Sequence, residues 1–130
     1  MRSLFISLLF TSLSNLYCQE KLPNIIIMIG DGMGLTQISS GMYANNNSTA
    51  LEGFEYVGLS KTHALDKLVT DSAASGTAMA CGVKTYNGVI GIDGKNKSHP
   101  SILEICQKKG YKTGLVATSS IVHATPASFY

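Results

Sequence analysis

Hydrophobic positions in this chain fall into two patterns, unbroken apolar runs and helix-spaced faces, separated by glycine-rich or polar turns. Asn24-Ile25-Ile26-Ile27-Met28-Ile29 is an unbroken, largely β-branched run that stops at Gly30-Asp31-Gly32-Met33-Gly34. A run of this kind predicts a strand buried on both faces, as in a parallel sheet. Leu35 to Tyr43 predicts a helix that starts near Thr36, and Asn45 to Thr49 a polar loop. A second short strand is expected over Tyr56 to Lys61. Ser72 to Cys81, dominated by Ala, Ser and Gly, predicts a helix with Asp71 as its N-cap, small enough in its side chains to lie close against a sheet. Asn87-Gly88 and Asp93-Gly94 are turn signals, so 86–96 is expected as loop or hairpin. Ile102 to Lys109 carries Ile102, Leu103, Ile105 and Cys106 on one face and ends at Gly110, a helix with a glycine stop. Tyr111 to Thr118 predicts another buried strand, and Thr125-Pro126 opens a further helix with proline at its first position. Helices alternating with strands give an α/β class with a largely parallel central sheet flanked by helices.

Composition narrows the picture. At 45% hydrophobic and 14% charged, the 130 residues suffice for one small core and argue against disorder. A formal charge of +2, from scattered lysines, argues against a nucleic-acid surface. Beyond Arg2 there is no arginine, so no guanidinium clamp on phosphate is available after the leader.

Residues 1–18 read as a secretory signal peptide, with Arg2 ahead of the apolar stretch Leu4 to Phe10 and a polar turn at Ser12 to Asn15. That stretch is well short of the roughly 20 residues a membrane span requires. Cleavage is expected near Cys18 or Gln19, and Asn15-Leu16-Tyr17 makes a poor box for lipidation of Cys18. With Cys18 removed, Cys81 and Cys106 either pair in an oxidising compartment or stay as two buried thiols. Asn46, Asn47 and Asn96 stand in glycosylation sequons.

Three elements carry candidate chemistry. Asp31 follows the first buried run directly, where open α/β sheets collect ligands, and its flanking glycines permit close backbone approach. Either it reaches a cation or it caps the next helix. Ser72 stands in the first turn of its helix, where free N–H groups and the helix dipole favour an anion such as a phosphate ester. Serine there needs a base or a metal to act as nucleophile, and Asp71 is not placed by sequence as that base. The plainer reading is a helix with an Asp-Ser start. His123 and Thr125 follow the last predicted strand, where they either approach a hard cation directly or through water, or are structural.

Taken together, Asn24 to Gly34 (NIIIMIGDGMG), Val69 to Gly88 (VTDSAASGTAMACGVKTYNG) and His123-Ala124-Thr125-Pro126 resemble the alkaline phosphatases, in the family's order and over nearly everything after the leader. The resemblance implies that 19–130 is the N-terminal part of that family's catalytic domain. It implies hydrolysis of phosphate monoesters, with Ser72 becoming a phosphoserine and its alkoxide stabilised by one of two zinc ions. It implies that Asp31 is shared between that zinc and one magnesium, and that Thr125 binds magnesium. His123 stands where some members have Asp, contacting magnesium through water, and Asp71 orients an arginine that grips phosphate. Secretion or a periplasmic location, and a homodimer at full length, are further implications.

The family's arginine, magnesium glutamate and zinc ligands are expected beyond Tyr130, and none of His63, His99 and His123 matches a zinc histidine. The 130-residue chain by itself is therefore expected to be inactive and marginally stable, part of an incomplete sequence. Competing expectations are a sulfatase or phosphodiesterase relative, against which the D-S-A-A-S block speaks, and a non-catalytic secreted fragment that binds metal. A dinucleotide-binding reading fails because Gly30 to Gly34 lacks the G-x-G-x-x-G spacing.

Overall fold

The computed structural model describes residues 23–130. The expected leader, with Arg2 and Cys18, lies outside the described residues, and none of the helices described is long and apolar enough to cross a membrane. Among the described residues four α-helices follow in order: α1 (Leu35–Ala44), α2 (Ser72–Cys81), α3 (Ile102–Lys108) and α4 (Ala124–Ala127), with a 3₁₀ turn (Ala50–Gly53) between the first two.

Helices α2 and α3 begin and end on local chemistry. On α2, Asp71 Oδ1 accepts from the Ala74 N–H at 2.8 Å. At its other end Gly82, at φ 70°, takes the left-handed cap. In front of α3, Ser101 and Glu104 form a reciprocal capping box: Ser101 Oγ accepts from Glu104 N at 3.1 Å, and Glu104 Oε2 from Ser101 N at 2.8 Å. Its C-terminus closes as a Schellman motif, with Tyr111 N–H donating to Cys106 O and Gly110 N–H to Gln107 O. Pro126 is the third residue of α4 rather than the first, tolerated because first-turn amides have no intrahelical acceptor.

The expected parallel sheet is not formed among the described residues. Residues 24–29, 56–61 and 111–118 carry no strand, and the β-type pairing recorded is one antiparallel bridge between Ile92 and Ser98. No backbone hydrogen bond joins 24–29 to 111–118, although both runs line one groove of about 580 Å³. A helix closes its own hydrogen bonds within four residues, whereas a strand exists only when a neighbour supplies donors and acceptors. Without such neighbours, side chains expected to be buried on both faces stand in the open: Ile26 is 84% exposed, Met28 88% and Val116 102%.

The buried core lies instead around α2, which packs on α4 and α3 rather than on a sheet. Ala73, Ala74 and Ala80 of α2 are buried, with Ala64 and Phe129. The small side chains of α2 admit α4 closely; a Cβ at Gly76 would sit 2.6 Å from Ser128 Oγ. Thr77, fully buried on the same helix, donates to Val89 O and accepts from Gly91 N–H, which fastens the 86–91 loop to α2. Beyond it, Asp93 closes a tight loop by accepting from the Lys95 and Lys97 amides and from the His99 ring at 2.9 Å. Cys81 and Cys106 are both free thiols, half-buried and not buried as the thiol alternative had them.

Candidate active site

Asp31 is delivered by a glycine turn. Met33 N–H donates to Gly30 O, Gly34 N–H to Gly32 O, and Gly32 takes φ 71°, a conformation that side chains with a Cβ rarely adopt. The exposed Asp31 carboxylate is thereby placed against the first turn of α2. Ser72 Oγ lies 3.3 Å from Asp31 Oδ1 and 3.2 Å from Oδ2, so its single proton is shared between the two oxygens. Thr125 Oγ1, on the first turn of α4, also donates to Asp31 Oδ2, at 2.7 Å. Residues 41 and 94 positions apart in sequence thus meet on one carboxylate.

Asp71 faces elsewhere. Its Oδ1 holds the Ala74 amide and its Oδ2 the Gly88 amide at 2.6 Å, so the carboxylate joins the start of α2 to the 86–91 loop. His123 is the N-cap residue of α4 but makes no side-chain cap bond; it lines the 580 Å³ groove beside Asp31 and Thr125 without bonding to the Asp31 carboxylate.

Two features of this arrangement bear on chemistry. The amides of Ser72 and Ala73 fall in the first turn of a ten-residue helix, where no helical carbonyl reaches them, so an anion approaching Ser72 Oγ meets free N–H donors and the positive end of the dipole. Around Asp31 the donors are one carboxylate and two hydroxyls, hard oxygens that suit magnesium. Zinc fits less well: among the described residues no group of three or more His, Cys, Asp or Glu side chains is placed to hold a metal.

Asn87, expected as a turn residue within the family-like block 69–88, has a part that the sequence pattern does not show. Its side-chain amide bridges the chain before α2, Oδ1 accepting from Asp71 N–H at 3.1 Å and Nδ2 donating to Val69 O at 3.0 Å.

The family model for alkaline phosphatase matches residues 22–130. Alkaline phosphatase 3 of Bacillus subtilis is 44% identical over 120 residues, covering 85% of this chain and 26% of the relative. The alkaline phosphatase of Escherichia coli K12 is 42% identical over 115 residues, covering 81% and 24%. Among solved structures, alkaline phosphatase from the Antarctic bacterium TAB5 superposes with a TM-score of 0.73 at 50% identity, covering 77% of this chain and 29% of that one. A variant of the TAB5 enzyme with a histidine replaced by glutamate, described with Mg bound in the M3 site, superposes equally well, at 0.73 and 49% identity. This chain spans about a quarter of the length of the curated relatives it matches.

Proposed function

This chain belongs to the alkaline phosphatase family, and we propose that it supplies the nucleophile and the first metal-facing oxygens for hydrolysis of phosphate monoesters through a phosphoserine at Ser72. The observation that carries the reading is the shared carboxylate: Ser72 at a helix N-terminus and Thr125 on a second helix both donate to Asp31.

The substrate phosphate sits at the start of α2, its oxygens facing the free amides of Ser72 and Ala73. Ser72 Oγ forms a bond to phosphorus as the bond to the alcohol oxygen breaks; the serine gives up its proton and the departing alcohol takes one up. Water then attacks phosphorus, the Oγ–P bond breaks, and inorganic phosphate and the free serine hydroxyl are restored. Asp31 holds the Ser72 hydroxyl in the direction of attack, but a carboxylate alone is a poor base for serine. Asp31 and Thr125 would hold magnesium, with His123 reaching it through water; a zinc facing Asp31 and Ser72 would have to take its remaining ligands from outside the described residues. Such ions, when bound, supply Lewis-acid stabilisation of the developing oxygen charges. Asp71, with both oxygens already on backbone amides, keeps lone pairs free to orient an arginine.

Further parts of the reading are that 19–130 is the N-terminal part of the catalytic domain, that the apolar runs 24–29 and 111–118 enter a parallel sheet in the complete protein, that residues 1–18 direct export to the periplasm or outside the cell, and that the protein works as a homodimer.

The test uses the protein expressed from its complete reading frame and a chromogenic phosphate monoester. Turnover is expected, with acid quenching trapping phosphate on Ser72 by mass spectrometry, and Ser72→Ala is expected to remove both. Turnover that persists in Ser72→Ala would overturn the nucleophile assignment.

A further inference from the structure

We propose that Asn87 is a positioning residue for the Ser72 nucleophile, acting through Asp71. The proposal rests on the phosphatase reading above. Residues just before α2 are not held by apolar packing, because Leu68 is 92% exposed and Val69 79% exposed. What holds them is polar. Asn87 brackets Thr70, taking the Asp71 N–H on its Oδ1 and giving its Nδ2 proton to Val69 O, much as a neighbouring strand would. Gly88 N–H adds a third bond, to Asp71 Oδ2.

The clip is itself anchored. Two residues further along, Val89 O accepts from Thr77 Oγ1, and Gly91 N–H donates to the same hydroxyl, which is fully buried in α2. The 86–91 loop therefore spans the start of the helix and its second turn, and fixes where the chain enters Ser72. The Ser72 to Asp31 contacts, at 3.2 and 3.3 Å, are long for an O–H donor, so little displacement is tolerated before they break. Asparagine is suited to the post because its short planar amide carries an acceptor oxygen and a donor NH2 on separate atoms, which lets it take one backbone N–H and give to one backbone C=O at once.

In the protein expressed from its complete reading frame, Asn87→Ala is expected to lower kcat on a chromogenic phosphate monoester by about 10- to 100-fold, the scale of a misplacement near 1 Å. KM should stay within about twofold and the unfolding midpoint within a few degrees, since a side chain at an exposed loop is removed. If Asn87→Ala does not fold, Asn87→Asp keeps an acceptor for Asp71 N–H, replaces the Val69 bond by an oxygen facing Val69 O and adds a charge beside Asp71, and is read by the same criteria. A kcat within twofold of the parent, while Ser72→Ala abolishes turnover, overturns the positioning role and leaves the phosphatase reading intact. A parallel fall of kcat and unfolding midpoint also overturns it, as the mark of a merely structural residue. Should the parent itself hydrolyse no phosphate monoester, the phosphatase reading fails. The crystal structure of the variant then decides the positioning role alone: Ser72 Oγ beyond hydrogen-bonding distance of Asp31 upholds it, and a retained contact overturns it.

Discussion

Thr125 Oγ1 donates at 2.7 Å to the same Asp31 Oδ2 that Ser72 Oγ approaches at 3.2 Å, so one carboxylate oxygen couples the start of α2 to the start of α4. Removing either hydroxyl leaves the other bound to Asp31, and their contributions are therefore separable by substitution.

Thr125→Val is nearly isosteric and deletes only the hydroxyl. In the protein expressed from its complete reading frame, magnesium affinity measured by calorimetry is expected to fall about 10-fold or more, in line with losing a ligand or its supporting hydrogen bond. An unchanged affinity would remove Thr125 from the metal-facing set.

Gly76→Ala tests the approach of α4 to α2. The added Cβ meets Ser128 Oγ at 2.6 Å and Ser128 Cβ at 3.1 Å, while the Ser128 hydroxyl is tied to Ala124 O. Overpacking of about 1–3 kcal/mol outweighs the helix-propensity gain of about 1 kcal/mol. A net loss of about 1 kcal/mol is expected in urea unfolding, with Ser128→Gly restoring it in the double variant. A single variant as stable as the parent would show that the helices can separate at no cost.

Asp93 gives an acid-side prediction. Its carboxyl is held down at about 2, first by the His99 ring and then by the amides of Lys97 and Lys95. A depressed folded value stabilises above the unfolded one, so the contribution is complete above about pH 4 and is lost as pH falls toward 2. Carboxyl-carbon NMR should return a midpoint near 2 for Asp93, whereas a midpoint near 4 would mean that the loop does not hold the anion.

Cys81 acts in the opposite direction. Burial, and next the nearby negative charge of Glu104, push its thiol above the ordinary range. A raised folded value stabilises below the unfolded one, and the contribution fades as pH climbs through the folded value. Alkylation of Cys81 at pH 8 is expected to be slower than that of a free thiol, and Glu104→Gln should accelerate it. Equal rates in parent and variant would rule out the charge effect.

The helices and their ends were legible in the residues themselves. Asp71 before a small-residue run and Gly110 after Lys109 each act within a few residues, and each was found where the pattern placed it; the Ser101–Glu104 capping box is just as local but was not among those expectations. The strands were not settled in that way. Ile25 to Ile29 and Leu115 to Ala117 have the composition of buried strands, yet pairing depends on donors and acceptors carried by other segments, and among the described residues no ladder supplies them.

The sequence alone determined which residue types were present and that a helix lies near each: a carboxylate in a glycine turn, a serine at a helix start, and a His-Ala-Thr-Pro segment in a helix that opens at Ala124, two residues ahead of the proline expected to start it. Whether Asp31 caps its helix or faces other chemistry stayed open at that level, as did the fate of the two cysteines. Tertiary structure decided both, bringing Asp31, Ser72 and Thr125 together across 41 and 94 positions and leaving Cys81 and Cys106 as thiols. It also turned an ordinary Asn-Gly turn into a clip on Asp71. The physical reason is range: capping and helix bonds act within four or five residues and are written in local order, whereas a contact between distant side chains exists only once the packing of α2 against α4 has fixed their separation.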